Sequence, residues 1–166
     1  MKIILLLLLF VFSCHQPSTK QQLVNEIRNK VATQLKNEKK LFPIGTGGQM
    51  MDQIEMLALS FDYYGEIGIE EGRELLLGAI NEFVATVNAD ERIQPYLKKF
   101  PFEPKNIEIR IFLRNSTPGK LCVLSAIDDV LEYDIRDPKT DRLKSVYDET
   151  FQEATRKMAQ NLCEGF

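Results

Sequence analysis

Residues 107–114 read Ile107-Glu108-Ile109-Arg110-Ile111-Phe112-Leu113-Arg114. Every second side chain is a large aliphatic, and three of the four between them are charged. A strand sends successive side chains to opposite faces, so this alternation predicts a strand with one face in a core and one in water. A helix would scatter the same four aliphatics around its circumference. Asn115 to Gly119 follow, with Pro118-Gly119 as a turn signal. Residues 120–127, KLCVLSAI, supply a second strand and Asp128-Asp129 a tight turn. Leu131, Tyr133 and Ile135 then alternate with Glu132, Asp134 and Arg136 in a third. Connections this short join antiparallel neighbours, so the three strands form a meander.

Upstream, Leu75, Leu76, Ala79, Ile80, Phe83, Val84 and Val87 recur at helical spacing and give residues 69–87 a broad apolar face. Glu70, Glu71 and Glu74 lie in its first turns, where the helix dipole favours negative charge. Asn88 with Glu91 three residues on predicts the cap of a second short helix, limited by Pro95. FPFEP at 100–104 then makes an extended connection. Residues 54–63 fit a strand through Leu57, Leu59, Phe61 and Tyr63, and a helix through Met51, Ile54, Leu57 and Phe61. The aromatic run before Gly65 favours the strand.

Further back, Leu23, Ile27, Val31 and Leu35 draw one narrow apolar stripe on a helix over residues 19–40, with Ser18 or Thr19 as cap. Pro43 and Gly45-Thr46-Gly47-Gly48 predict its stop and a flexible turn; the GxxxxGK[ST] and GxGxxG phosphate-loop patterns are absent. Downstream, Asp137-Pro138 closes the meander. Tyr147, Phe151, Ala154, Met158 and Leu162 predict a last helix over residues 145–162, capped by Ser145. The expected fold is therefore α+β. It has an antiparallel sheet, a three-strand meander plus a fourth strand, with helices on one face and an amphipathic helix in front.

The first residues belong to another kind of segment. Met1-Lys2 precede the run IILLLLLFVF, Ile3 to Phe12, and then Ser13 and Cys14. A charged start, a short apolar run and a small residue at the cut describe an export signal. A bilayer span needs about 20 apolar residues, far more than this run. Val11-Phe12-Ser13-Cys14 resembles the bacterial lipobox, with Phe12 departing from the small or branched residue usual at its place. The resemblance covers the export segment alone. It implies a diacylglyceryl group on the Cys14 thiol, cleavage before Cys14 and acylation of the new amino group. An ordinary cleaved signal with a chance cysteine is the competing reading. His15 stands where an Asp would favour inner-membrane retention in enterobacteria, which by analogy points to the outer membrane. The expected organisation is a signal peptide at 1–13, a lipidated tether at 14–19 and one domain at 20–166, whose helix at 20–40 can stand partly apart.

Charge is uneven along the chain. Residues 15–41 carry Lys20, Arg28, Lys30, Lys36, Lys39 and Lys40 against Glu26 and Glu38, a net of +4, while residues 42–166 carry −8. An acidic body argues against nucleic acid, which needs a basic footprint. The basic segment beside the anchor suits anionic lipid.

Chemistry leaves few marks. His15, in the tether, is the single histidine of the chain, so Ser-His-Asp and Cys-His catalysis have no base. Cys122 and Cys163 cannot complete a structural zinc site alone. They form a disulfide in one reading, favoured by export, and are two independent small apolar residues in the other. Asp134, Asp137 and Asp141 cluster around a turn but lack the spacing of a calcium loop. No cofactor is expected. Arg110, Arg114 and Arg136 mark the water-facing side of the sheet as a contact face for an envelope protein or polymer, with cross-strand ion pairs as the alternative account. The functional expectation is a lipid-anchored envelope binding module without catalysis; the alternative is a small envelope hydrolase using paired carboxylates, which leave no motif.

Overall fold

The computed structural model describes residues 20–164, with side chains through Asn161. The export segment, Cys14, the tether and the side chain of Cys163 lie outside the described residues. The chain runs α1 (Lys20–Lys39), β1 (Phe42–Gln49), β2 (Met56–Tyr64), α2 (Ile69–Ala89), β3 (Ile107–Arg114), β4 (Leu121–Ile127), β5 (Val130–Arg136), β6 (Leu143–Thr150) and α3 (Phe151–Glu164). It is an α+β fold with a six-stranded, mostly antiparallel sheet in the order β1-β2-β3-β4-β5-β6.

The alternation of residues 107–114 works as the sequence suggests: Ile107, Ile109, Ile111 and Leu113 are buried, and Arg110 and Arg114 are exposed. Across the sheet the same rule builds a core row, Phe61-Ile111-Leu124-Tyr133-Tyr147, one residue from each of β2 to β6. The next row, on the other face, is Gly45-Ser60-Arg110-Ser125-Glu132-Asp148. α1 packs on β1, α2 on β3 to β5, and α3 on β5 and β6, so all three helices cover one face. Leu76, Ile80, Phe83 and Val87 of α2 are at most 2% exposed and fill the centre. Burying each such side chain contributes about 1.5–3 kcal/mol. Gly72 lets α2 come down on β4, since a Cβ there would meet both Leu124 methyl groups at 3.2 Å. The α1 stripe, Leu23, Ile27, Val31 and Leu35, belongs to the same core.

Four expectations need correction. Gly45 to Gly48 is not a flexible turn after the first helix but half of edge strand β1, paired antiparallel to β2. Glycine has low strand propensity, and here pairing with β2 overrides it. The first helix instead ends at Lys39, with Lys40 at φ 56°, the left-handed stop usual after a helix. The last helix does not begin at Ser145. Residues 143–150 form β6, so the meander has four strands, and Thr150 caps α3. The Thr150 backbone N–H and hydroxyl donate to Glu153 (2.9 and 3.0 Å), and the Glu153 N–H donates back to the Thr150 hydroxyl (3.2 Å), a capping box. The sheet is not wholly antiparallel: β2 and β3 run parallel, with α2 as the crossover between them. Asn88 caps no second helix. It lies inside α2, and its amide brackets the backbone of Phe102, donating to the carbonyl (2.9 Å) and accepting from the N–H (2.7 Å).

Between β4 and β5, Asp128 and Asp129 take φ 49° and 70°, the conformation of a two-residue hairpin turn whose twist matches the strands.

Candidate functional site

The helix-free face is built from the strand positions that point away from the core. Arg110, Arg114 and Arg136 all lie on it and are exposed. Each meets a carboxylate: Arg110 pairs with Glu108 (3.0 Å), Arg114 with Asp62 (2.8 Å) and Arg136 with Asp141 (3.4 Å). Arg114 also lies over the Phe112 ring, 5.5 Å from its centroid. Val123 and Ser125 on this side are buried. The face is thus a lattice of mutually neutralised charges, which suits a polar partner able to exchange its own groups for these. Asp134 and Glu132 stand on it too. Burial, and then the Glu132 charge, push the Asp134 carboxyl above its usual range.

Cys122 follows Leu121 at a bulge in β4, is half-buried and has no disulfide partner among the described residues; burial pushes its thiol pKa up. It lines a recess with Ser116, Pro118, Arg136 and Asp141.

On the helix side, β6 brings an acid into the core layer that sequence reasoning placed on a helix. Glu149 is buried and accepts hydrogen bonds from Arg73 Nε (2.6 Å), the Tyr133 hydroxyl (2.8 Å), Lys157 Nζ (2.9 Å) and the Tyr147 hydroxyl (3.3 Å). Arg73, also buried, pairs in addition with Glu70. Burial pushes the Glu149 carboxyl up, but the bonds from Arg73, Lys157 and Tyr133 outweigh it and hold the group below its usual range. Burial and the neighbouring Glu149 raise the Tyr133 phenol. Every oxygen of Glu149 is engaged by donors from α2, β5, β6 and α3, so the cluster joins four elements through one charge.

The third buried charged residue in the helix layer is Arg28 of α1, 4% exposed. Its Nη2 donates to the Gly47 carbonyl of β1 and lies 4.0 Å from the Met50 sulfur. Nε is buried without a partner, and among the described residues no carboxylate lies within ion-pair distance of this guanidinium. Burial lowers its pKa. Gly48 permits the approach: a Cβ there would meet Arg28 Nη2 at 2.9 Å and the Met56 carbonyl at 2.7 Å. Arg28 was legible only as one cation among six: it stood between the stripe residues Ile27 and Val31, and nothing in its residue type marked which of the six would be buried. Lys20 of the same basic segment is also used internally, donating to the carbonyls of Met50 (2.9 Å), Met51 (2.6 Å) and Asp52 (3.2 Å). Lys30, Lys36 and Lys40 stay exposed.

Among the described residues no cluster of three or more His, Cys, Asp or Glu is placed to hold a metal ion, and no helix is long and apolar enough to cross a membrane. No family model, curated protein or solved structure matches the chain.

Proposed function

We propose that this chain is a lipid-anchored protein of the bacterial cell envelope, tethered through Cys14 to the outer membrane, whose α+β domain works by contact with an envelope protein or polymer facing the periplasm or the cell surface. The supporting observation is the lipobox-like junction at Cys14 in front of a domain whose six-stranded face carries no helix among the described residues. A lipid anchor and a short polar tether raise the local concentration of the domain at the membrane, so a modest affinity suffices. Several acyl chains hold firmly, each buried CH2 adding about 0.8 kcal/mol. The exposed lysines of α1 add attraction to anionic lipid, although Lys20 and Arg28 are already engaged inside the domain.

The test is cross-linking in native envelope of the wild type and of the variant Arg110→Glu, Arg114→Gln, Arg136→Glu. The contact reading expects a partner band that the variant loses while keeping its fold. Equal cross-linking of both proteins removes this face as the contact. The hydrolase alternative has one observation in its favour, the raised Asp134 beside Glu132. Hydrolysis of an envelope polymer that Asp134→Asn abolishes would replace the contact reading.

A further inference from the structure

Between the outer side of α1 and edge strand β1 runs a groove of about 580 Å³. Its walls include Arg28, Asn29, Thr33 and Lys36 of α1 and Ile44 to Thr46 of β1, with Leu59 of β2 at its floor. Three independent features converge on it. First, β1 pairs on one side only, with β2, so among the described residues its outer row of backbone N–H and C=O groups has no strand partner. Native edges are commonly blunted with charge, proline or a bulge; β1, FPIGTGGQ, has Pro43 and a bulge between Pro43 and Gly45 at its start, but no charge, which leaves its Gly45 to Gln49 part as the open edge. Second, among the described residues Arg28 is a buried cation without a counter-ion, and its Nε–H has no acceptor. A buried charge is ordinarily paired, and one left unpaired is costly. Third, no lining residue is acidic, while Arg28 and Lys36 are cationic, in a body that is otherwise acidic.

We infer that this groove binds an extended peptide segment of a partner protein, which adds a strand to the free edge of β1 and places an Asp or Glu carboxylate on Arg28. This rests on the contact reading above and gives it a second, chemically defined site. Strand addition uses main-chain hydrogen bonds for affinity and side-chain pockets for selectivity. Here one set of alternate side chains of the added strand would meet Phe42, 38% exposed, and the other set would enter the groove, whose wall includes Ile44, 50% exposed. Carboxylate and guanidinium match as a charge-assisted, planar pair, the arrangement for which arginine is chosen over lysine. Lys36, whose ammonium lies 5.8 Å from the Phe42 ring centroid, adds a second cation at the rim.

The experiment is an NMR titration of the 14–166 chain with Cys14→Ser, observing backbone amides and the arginine Nε–H signals. The probe is a blocked hexapeptide of alternating valine and threonine with one central aspartate. Three comparison arms are the same peptide with asparagine, the same peptide N-methylated at alternate residues, and phosphatidylglycerol vesicles. The expected result is movement of the β1 amides and of the Arg28 Nε–H by the aspartate peptide, with binding about tenfold or more weaker for asparagine, the loss of one charged hydrogen bond. The N-methylated peptide, unable to pair, should not bind. Arg28→Met should erase the difference between aspartate and asparagine, and Lys36→Glu, at an exposed position, should weaken the aspartate peptide without touching the fold. Equal binding of aspartate and asparagine peptides overturns the carboxylate assignment. Equal binding of the N-methylated peptide overturns strand addition. A response to vesicles but not to peptide assigns the groove to lipid headgroups and overturns the inference. Because the titration uses the isolated chain, its failure leaves the envelope cross-link of the sheet face to be judged separately.

Discussion

Glu149 is the residue whose removal the structure prices most clearly. Its side chain is 1% exposed and that of Arg73 is 2% exposed. Replacing Glu149 by Leu leaves Arg73 buried with Glu70 as its remaining acid, and Glu70 is 65% exposed. Breaking one side of a buried pair costs about 3–5 kcal/mol, because the stranded charge stays desolvated. Tyr133 loses the acceptor of its buried hydroxyl as well, a further 1–3 kcal/mol or so if nothing replaces it. A domain of this size has about 5–15 kcal/mol in total, so Glu149→Leu removes a large part of the margin. Glu149→Leu combined with Arg73→Met replaces both charges with apolar volume and should recover much of the loss. The assay is urea unfolding followed by circular dichroism, since the chain has no tryptophan. Midpoints are compared at constant slope. The network also sets an acid limit. The folded Glu149 pKa lies below its ordinary value of 4.5. Its contribution is therefore fully present above about pH 4.5 and is lost as pH falls through the lower folded value. The wild type should lose stability more steeply than the double variant across that acid range. If Glu149→Leu costs less than about 1 kcal/mol, or the double variant is no more stable than the single ones, the charge does not hold the four elements together.

Other outcomes follow from the same structure and sequence. A palmitate analogue should label the full chain and miss Cys14→Ser; equal labelling would remove the anchor. For Cys122 and Cys163, titration of denatured, unreduced, secreted protein distinguishes a bridge (no free thiols) from two separate residues (two thiols), and a bridge would stabilise by roughly 4 kcal/mol in the chain-entropy picture. The Arg110→Glu, Arg114→Gln, Arg136→Glu variant should lower the unfolding free energy by no more than about 3 kcal/mol, each of the three exposed pairs contributing about 0–1 kcal/mol. Thr150→Ala, which breaks the cap of α3, should cost about 1 kcal/mol, whereas Ser145→Ala should be near neutral.

How far the residues alone lead can be seen strand by strand. Ile107 to Arg114 declared itself because period-2 alternation of large aliphatics with charge has one physical reading, a sheet with a dry and a wet face. The face of α2 and the stripe of α1 declared themselves for the corresponding reason at period 3.6. The capping box of α3 was present as Thr150-Phe151-Gln152-Glu153, but Tyr147 falls four residues before Phe151 and mimicked a helical stripe. Whether Tyr147 and Glu149 turn inward on a strand depends on pairing with β5, which is a contact between segments and not a property of either. Likewise, the glycines of β1 are poor strand formers, and they form one because β2 offers a ladder and α1 comes close enough to need small residues. The basic count of α1 was readable, but not which cation would be buried. Arg28 and Glu149 are both ordinary surface residues by type. Local sequence determined the helix and strand periodicity and the turn at Asp128-Asp129, but not the caps read at Asn88 and Ser145 or the turn read at Gly45 to Gly48. Only the tertiary structure decided edge strands, the parallel β2–β3 pair, and which charges were taken out of water, since burial is a property of neighbours distant in the chain.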